Sequence, residues 1–154
     1  MAEFADVEML EDDTFRKTLD RAVRLLGQRE HGRIELERKL VRKGFREDVV
    51  HAVVDKLQAD DLQSDERYAA ALVRRRIERG YGPIYIRQEL RQRRVDDELA
   101  EAELTHTGEF WLGEACRVLQ KKFSNRTNAR DAQGRFLARR GFPADLIYRA
   151  LGKL

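Results

Sequence analysis

Three stretches of the chain repeat one another, and no other feature restricts the fold as much. Leu40-Val-Arg-Lys-Gly44-Phe45-Arg-Glu-Asp48-Val49 aligns with Leu90-Arg-Gln-Arg-Arg94-Val95-Asp-Asp-Glu98-Leu99, and both align with Leu137-Ala-Arg-Arg-Gly141-Phe142-Pro-Ala-Asp145-Leu146. The copies are offset by 50 and then 47 residues. In each, an apolar residue is followed four positions later by a helix stop, then by an apolar anchor, an acid three beyond it and another apolar residue. A period of this length indicates an all-α array of tandem three-helix repeats, elongated and curved, in which no unit buries enough core without its neighbours. Arg94 stands where the other copies have glycine. A left-handed residue there costs about 1 kcal/mol or more, so a different turn geometry is expected in the second copy.

The chain divides accordingly into an acidic segment, 1–13, and repeats at 14–62, 63–105 and 106–154. Residues 1–13 hold six acids, no base and little apolar surface, and are expected to be disordered or loosely held. Thr14 is placed to cap a helix with Leu19, Ala22, Val23 and Leu26 on one face. After a break at Gln28 to Gly32, Gly32 is expected as the next N-cap, with Glu35 in the capping-box position and Leu36 and Leu40 inward. A third helix after Phe45 carries Val49, Val50, Val53, Val54 and Leu57 on one stripe, with Glu47 and Asp48 at its positive end. The second repeat opens near Ser64, with Ala69, Leu72, Val73 and Ile77 inward, and Thr107 caps a helix in the third with Trp111, Ala115, Val118 and Leu119 inward. Between Phe123 and Phe136 the apolar pattern fades, and a longer, mobile loop is expected.

Little in the chain supports catalysis. It has no glycine-rich phosphate loop, no nucleophile elbow and no paired carboxylates beyond those that helix starts explain. His31, His51 and His106 lack the spacing of metal ligands, so no metal and no cofactor is expected. Cys116 is the single cysteine; it suits a reducing compartment and is expected to be a small buried residue. No stretch approaches the roughly 20 apolar residues of a membrane span, and the acidic start is the reverse of a signal peptide, which points to a cytoplasmic protein.

What remains is charge. The net charge is only +3, but arginines crowd a helix joint at Gly80-Tyr-Gly-Pro-Ile-Tyr-Ile-Arg-Gln-Glu-Leu90. Gly80 can end one helix in the left-handed conformation, and Pro83 is preset for the first turn of the next. Arg74, Arg75, Arg76, Arg79, Arg87, Arg91 and Arg93, with Tyr81 and Tyr85, are the candidate partner-binding residues. A solvated face, or ion pairs of Arg76 and Arg79 with Glu78, Glu89 or the acidic N-terminus, would account for the same arginines, and helix packing for the tyrosines. The residues alone suit a long acidic surface, whether protein or nucleic acid.

Arg29-Glu-His-Gly-Arg-Ile-Glu-Leu36, Lys39-Leu-Val-Arg-Lys-Gly-Phe45, Ser64-Asp-Glu-Arg-Tyr-Ala69 and the Gly80 to Leu90 joint together resemble the RecX family of regulatory proteins. The resemblance runs from about Arg21 to the C-terminus; Gly32 departs from it where the family has a serine cap, and the third unit matches only in pattern. It implies a protein without chemistry of its own, acting in DNA repair, recombination and the SOS response. Such a protein binds the RecA recombinase filament on single-stranded DNA, inhibits its ATPase and strand exchange, and limits filament growth. Direct binding to single- or double-stranded DNA is the alternative, and the residues do not separate the two. A monomer with weak, salt-dependent DNA binding is expected, because the repeats cover one another's apolar stripes and the arginines are mobile.

Overall fold

A computed structural model of the chain describes residues 2–124 and 130–153. Within them lie nine helices and no strand: α1 (Ala2–Gln28), α2 (Arg33–Arg42), α3 (Glu47–Ala59), α4 (Asp65–Glu78), α5 (Pro83–Gln92), α6 (Asp97–Glu103), α7 (Gly108–Phe123), α8 (Arg130–Arg139) and α9 (Ala144–Lys153). They group into two compact units, Met1–Tyr68 and Ala69–Leu154.

The repeated sequence signature is a helix-ending motif. At the end of α2 the Phe45 amide donates to the Leu40 carbonyl and the Gly44 amide to that of Val41; Val95→Leu90 with Arg94→Arg91, and Phe142→Leu137 with Gly141→Ala138, repeat the pair after α5 and α8. These are Schellman motifs, in which the left-handed residue lets the chain turn back and an apolar side chain beyond it meets one in the last turn. The required spacing, an apolar residue, the stop four later and an apolar anchor next, is the one that recurs. Leu40, Leu90 and Leu137 are fully buried, and Val95 and Phe142 nearly so. Gly44 and Gly141 have φ of +99° and +91°. Arg94 adopts φ +54° with the same hydrogen bonds, so the altered turn expected in the second copy does not occur. Burial of Leu90 and Val95 holds the turn and outweighs a local cost of about 1 kcal/mol.

In the first unit α1 and α2 pack on α3, around Ala22, Leu25, Leu36, Leu40, Val50, Val53, Val54 and Leu57. The stripe of α1 is rotated from the expected one: Leu25 is inside, whereas Val23 is 45% exposed. Thr14 is not a cap. Its hydroxyl donates to the Leu10 carbonyl 2.8 Å away, inside a helix that already runs from Ala2, so residues 2–13 are helical in place of the loose segment expected. A threonine hydroxyl can bond back to the previous turn as readily as it caps, and residue type does not distinguish the two. Thr18 does the same to Thr14 at 2.7 Å and is fully buried.

In the second unit α7 and α8 pack on α9, α8 on α7, and α5 on α6. Trp111, Leu112, Ala115, Val118 and Leu119 form the buried face of α7, and the Thr107 hydroxyl accepts from the Phe110 amide as a cap. Cys116 is half-buried rather than buried. The loop expected from Phe123 to Phe136 ends sooner, since α8 starts at Arg130; residues 125–129, where its Asn and Thr lie, are outside the described residues.

The α1–α2 junction carries a buried charge network. Arg29 donates two 2.9 Å bonds to the buried carboxylate of Glu35. Gly32 is the N-cap of α2, and the Asp65 carboxylate, from the far end of the unit, accepts from the Arg33 amide at 2.7 Å. A Cβ at Gly32 would stand 2.9 Å from the Tyr68 ring. Glycine here leaves room for that ring while Asp65 supplies the missing cap.

His31 lies buried among cations, its Nδ1 3.0 Å from the Arg29 carbonyl and its Nε2 3.0 Å from the Lys39 ammonium. A neutral ring donating from Nδ1 and accepting at Nε2 satisfies both contacts. Burial, and then the Arg29 and Lys39 charges, lower its pKa below the ordinary 6.5. The unfolded chain therefore takes up the proton first as pH falls. The contribution of His31 to stability is complete above about pH 6.5 and is lost progressively below it. Urea denaturation at pH 7.5 and pH 5.5 should show the first unit weaker at the lower pH, and His31→Gln should reduce that difference.

Candidate partner-binding surface around the Gly80 turn

Gly80 ends α4 at φ +87°, with the Tyr81 amide donating to the Arg76 carbonyl, and Pro83 opens α5 behind Gly82. The joint foreseen in the sequence is present. Its third partner was not foreseen: the turn between α8 and α9 docks directly onto it. The Gly82 amide donates to the Arg140 carbonyl at 2.7 Å and the Ile84 amide to that of Gly141 at 3.0 Å. The backbones approach so closely that a Cβ on Gly82 would sit 2.6 Å from the Gly141 oxygen.

The candidate arginines have different fates. Arg76 is spent within the fold, donating two 2.7 Å bonds to Glu89 across the joint, and this pairing raises its pKa. Arg87 reaches Glu101, while Arg91 stands 3.7 Å from Asp97 with both side chains exposed. Arg75 is half-buried, and its Nε has no hydrogen-bond partner among the described residues. Arg74, Arg79 and Arg93 are exposed, and the guanidinium groups of Arg74 and Arg79 make no hydrogen bond or ion pair among the described residues. The seven arginines thus divide among those paired with acids across the helices, the half-buried Arg75, and exposed cations.

Tyr81 and Tyr85 are stacked, centroids 4.1 Å apart, and are half-buried. Arg140 lies over Tyr81 at 4.7 Å and over Phe136 at 5.1 Å, and donates to the Arg79 carbonyl at 3.0 Å. Arg117 of α7 donates to the Ile77 carbonyl at 3.1 Å. Arg117 of α7 and Arg140 just after α8 therefore hold carbonyls at and just beyond the end of α4, a favourable place for positive charge. Neither was among the candidates, because pairs 40 and 61 residues apart leave no local pattern.

Known proteins resemble this arrangement along nearly the whole chain. Residues 19–57 match the first three-helix domain of RecX and residues 64–104 the second. The chain is 43% identical over 132 residues to the regulatory protein RecX of Halorhodospira halophila, covering 83% of this chain and 82% of that protein. The chain belongs to the RecX family. RecX of Pseudomonas syringae pv. tomato is 40% identical over 134 residues, with 84% and 86% covered. The crystal structure of RecX from Lactobacillus salivarius superposes with a TM-score of 0.77 at 25% identity, covering 93% of this chain and 97% of that one. A second crystal structure, of regulatory protein RecX, reaches 0.82 at 24% identity over 100% of this chain and 79% of the other, and shows the shared fold. The Halorhodospira and Pseudomonas relatives are named regulatory proteins, and no helix among the described residues of this one is long and apolar enough to cross a membrane.

Proposed function

We propose that this RecX-family chain is a negative regulator of homologous recombination and DNA repair, a cytoplasmic monomer that binds the RecA filament on single-stranded DNA. Bound there, it slows ATP hydrolysis and strand exchange and limits filament growth, with no catalytic step of its own. Family membership over more than four-fifths of the chain carries the reading. The exposed arginines Arg74 of α4 and Arg79 just beyond it add to it, since their guanidinium groups have no partner among the described residues and are open to carboxylates or phosphates of a partner. The working body is the three repeats, 14–62, 63–105 and 106–154, and direct contact with DNA is weak and salt-dependent.

The double variant Arg74→Glu/Arg79→Glu tests the surface. Both side chains are exposed, so helicity and melting temperature should stay nearly unchanged while inhibition of RecA ATP hydrolysis is lost. Arg76→Glu should instead destabilise the second unit, because it sets two carboxylates against each other at the place of the Glu89 pair. Full inhibition by the Arg74/Arg79 variant would place the contact elsewhere.

A further inference from the structure

Beside the Gly80 turn, the second unit has a cleft of about 270 Å³ in which Arg79, Arg117, Lys121, Lys122 and Arg140 converge against a single lining carboxylate, Glu78. Like charges gather at such density only at a cost in mutual repulsion, and a bound anion relieves it. We propose that this cleft is a binding site for a phosphate group, with a phosphodiester of a single-stranded nucleic acid as its occupant.

Three observations support it. Two of the cations are fixed before any ligand arrives: Arg140 is held over Tyr81 and Phe136 and by the Arg79 carbonyl, and Arg117 by Glu114 and the Ile77 carbonyl. Fixed donors spare a ligand the cost of ordering them. Lys121, Lys122 and Arg79 are exposed, and their cationic groups have no partner among the described residues, which leaves them to close on the anion. The volume is below the roughly 300–1,000 Å³ of clefts that enclose drug-sized ligands, so it suits a phosphate with its flanking sugar rather than a whole nucleotide. Arg79 belongs to both surfaces, so the proposal shares that residue with the RecA reading; its test removes only Lys121 and Lys122 and uses no RecA, so the two can fail separately.

The test is fluorescence anisotropy of a labelled oligothymidylate at low salt with three proteins: the natural chain, Lys121→Ala/Lys122→Ala, and the control Arg38→Ala/Arg42→Ala. The control removes the same charge from exposed positions on α2 that do not line the cleft. The lysine variant should bind roughly tenfold more weakly and lose about 1.4 from the slope of log affinity against log salt, two phosphate contacts' worth, while the control changes little. Glu78→Gln should tighten binding. ATP and pyrophosphate should compete no better than inorganic phosphate at equal charge, because the cleft does not hold the rest of a nucleotide; strong competition by ATP would reassign the site to free nucleotides and overturn the nucleic-acid occupant. Equal losses in the lysine variant and the control, or polyglutamate competing as well as the oligonucleotide, would overturn the phosphate site itself.

Discussion

Gly141→Ala is expected to lower the stability of the second unit by about 4 kcal/mol or more, while Gly44→Ala costs about 1 kcal/mol. The two glycines occupy the same place in the repeat and share left-handed backbone, at φ +91° and +99°. Conformation alone therefore penalises both substitutions alike. They differ in surroundings. A Cβ on Gly44 meets nothing within 4 Å, whereas one on Gly141 would clash with the Tyr85 amide nitrogen and stand 2.5 Å from its Cβ. Tyr85 is held by its stack on Tyr81 and by the start of α5, so relief requires the α8–α9 turn to withdraw. Withdrawal breaks the bonds from the Gly82 and Ile84 amides. Chemical denaturation of the two variants, followed by circular dichroism, measures the difference; equal losses would show that the docking of the two turns contributes nothing.

Leu40→Ala, Leu90→Ala and Leu137→Ala should each destabilise by about 2 to 5 kcal/mol, the range for buried leucine truncations. All three are completely buried, and each carbonyl accepts the long bond of its helix-ending motif. Removing the side chain opens a cavity in the core and also takes away the last-turn contact for Phe45, Val95 or Phe142. A neutral result at any of the three would mean that its turn is held by something other than this packing.

These leucines show what the sequence makes legible. An apolar residue, a stop four later and an apolar anchor next to it form a local rule of helix ends, so three copies can be found by eye and each marks a real turn. Thr107 as a cap, and Gly80 with Pro83 as a break and restart, are local in the same sense. Gly32 shows the limit. It reads as a weak substitute for a serine cap, but its reason is the Tyr68 ring and its cap is Asp65, both more than 30 residues on. The arginine-rich joint was visible as charge, yet only the packed helices assign Arg76 to Glu89 and Arg87 to Glu101, and leave Arg74 and Arg79 outward. Arg140 and Gly141 belong to the joint solely through the folding back of α8, which no spacing near Gly80 encodes.

The most direct measurement adds this protein to preformed RecA filaments on single-stranded DNA and follows ATP hydrolysis as its amount rises. Hydrolysis should fall as the protein is added and should stay low when free single-stranded DNA is supplied as competitor, because the filament is what it binds. Inhibition at levels well below the number of RecA protomers would assign it to filament ends, and inhibition only near one per several protomers to the filament groove. Hydrolysis that is unchanged up to equal amounts of the two proteins, or inhibition that disappears once extra DNA is present, would contradict the account.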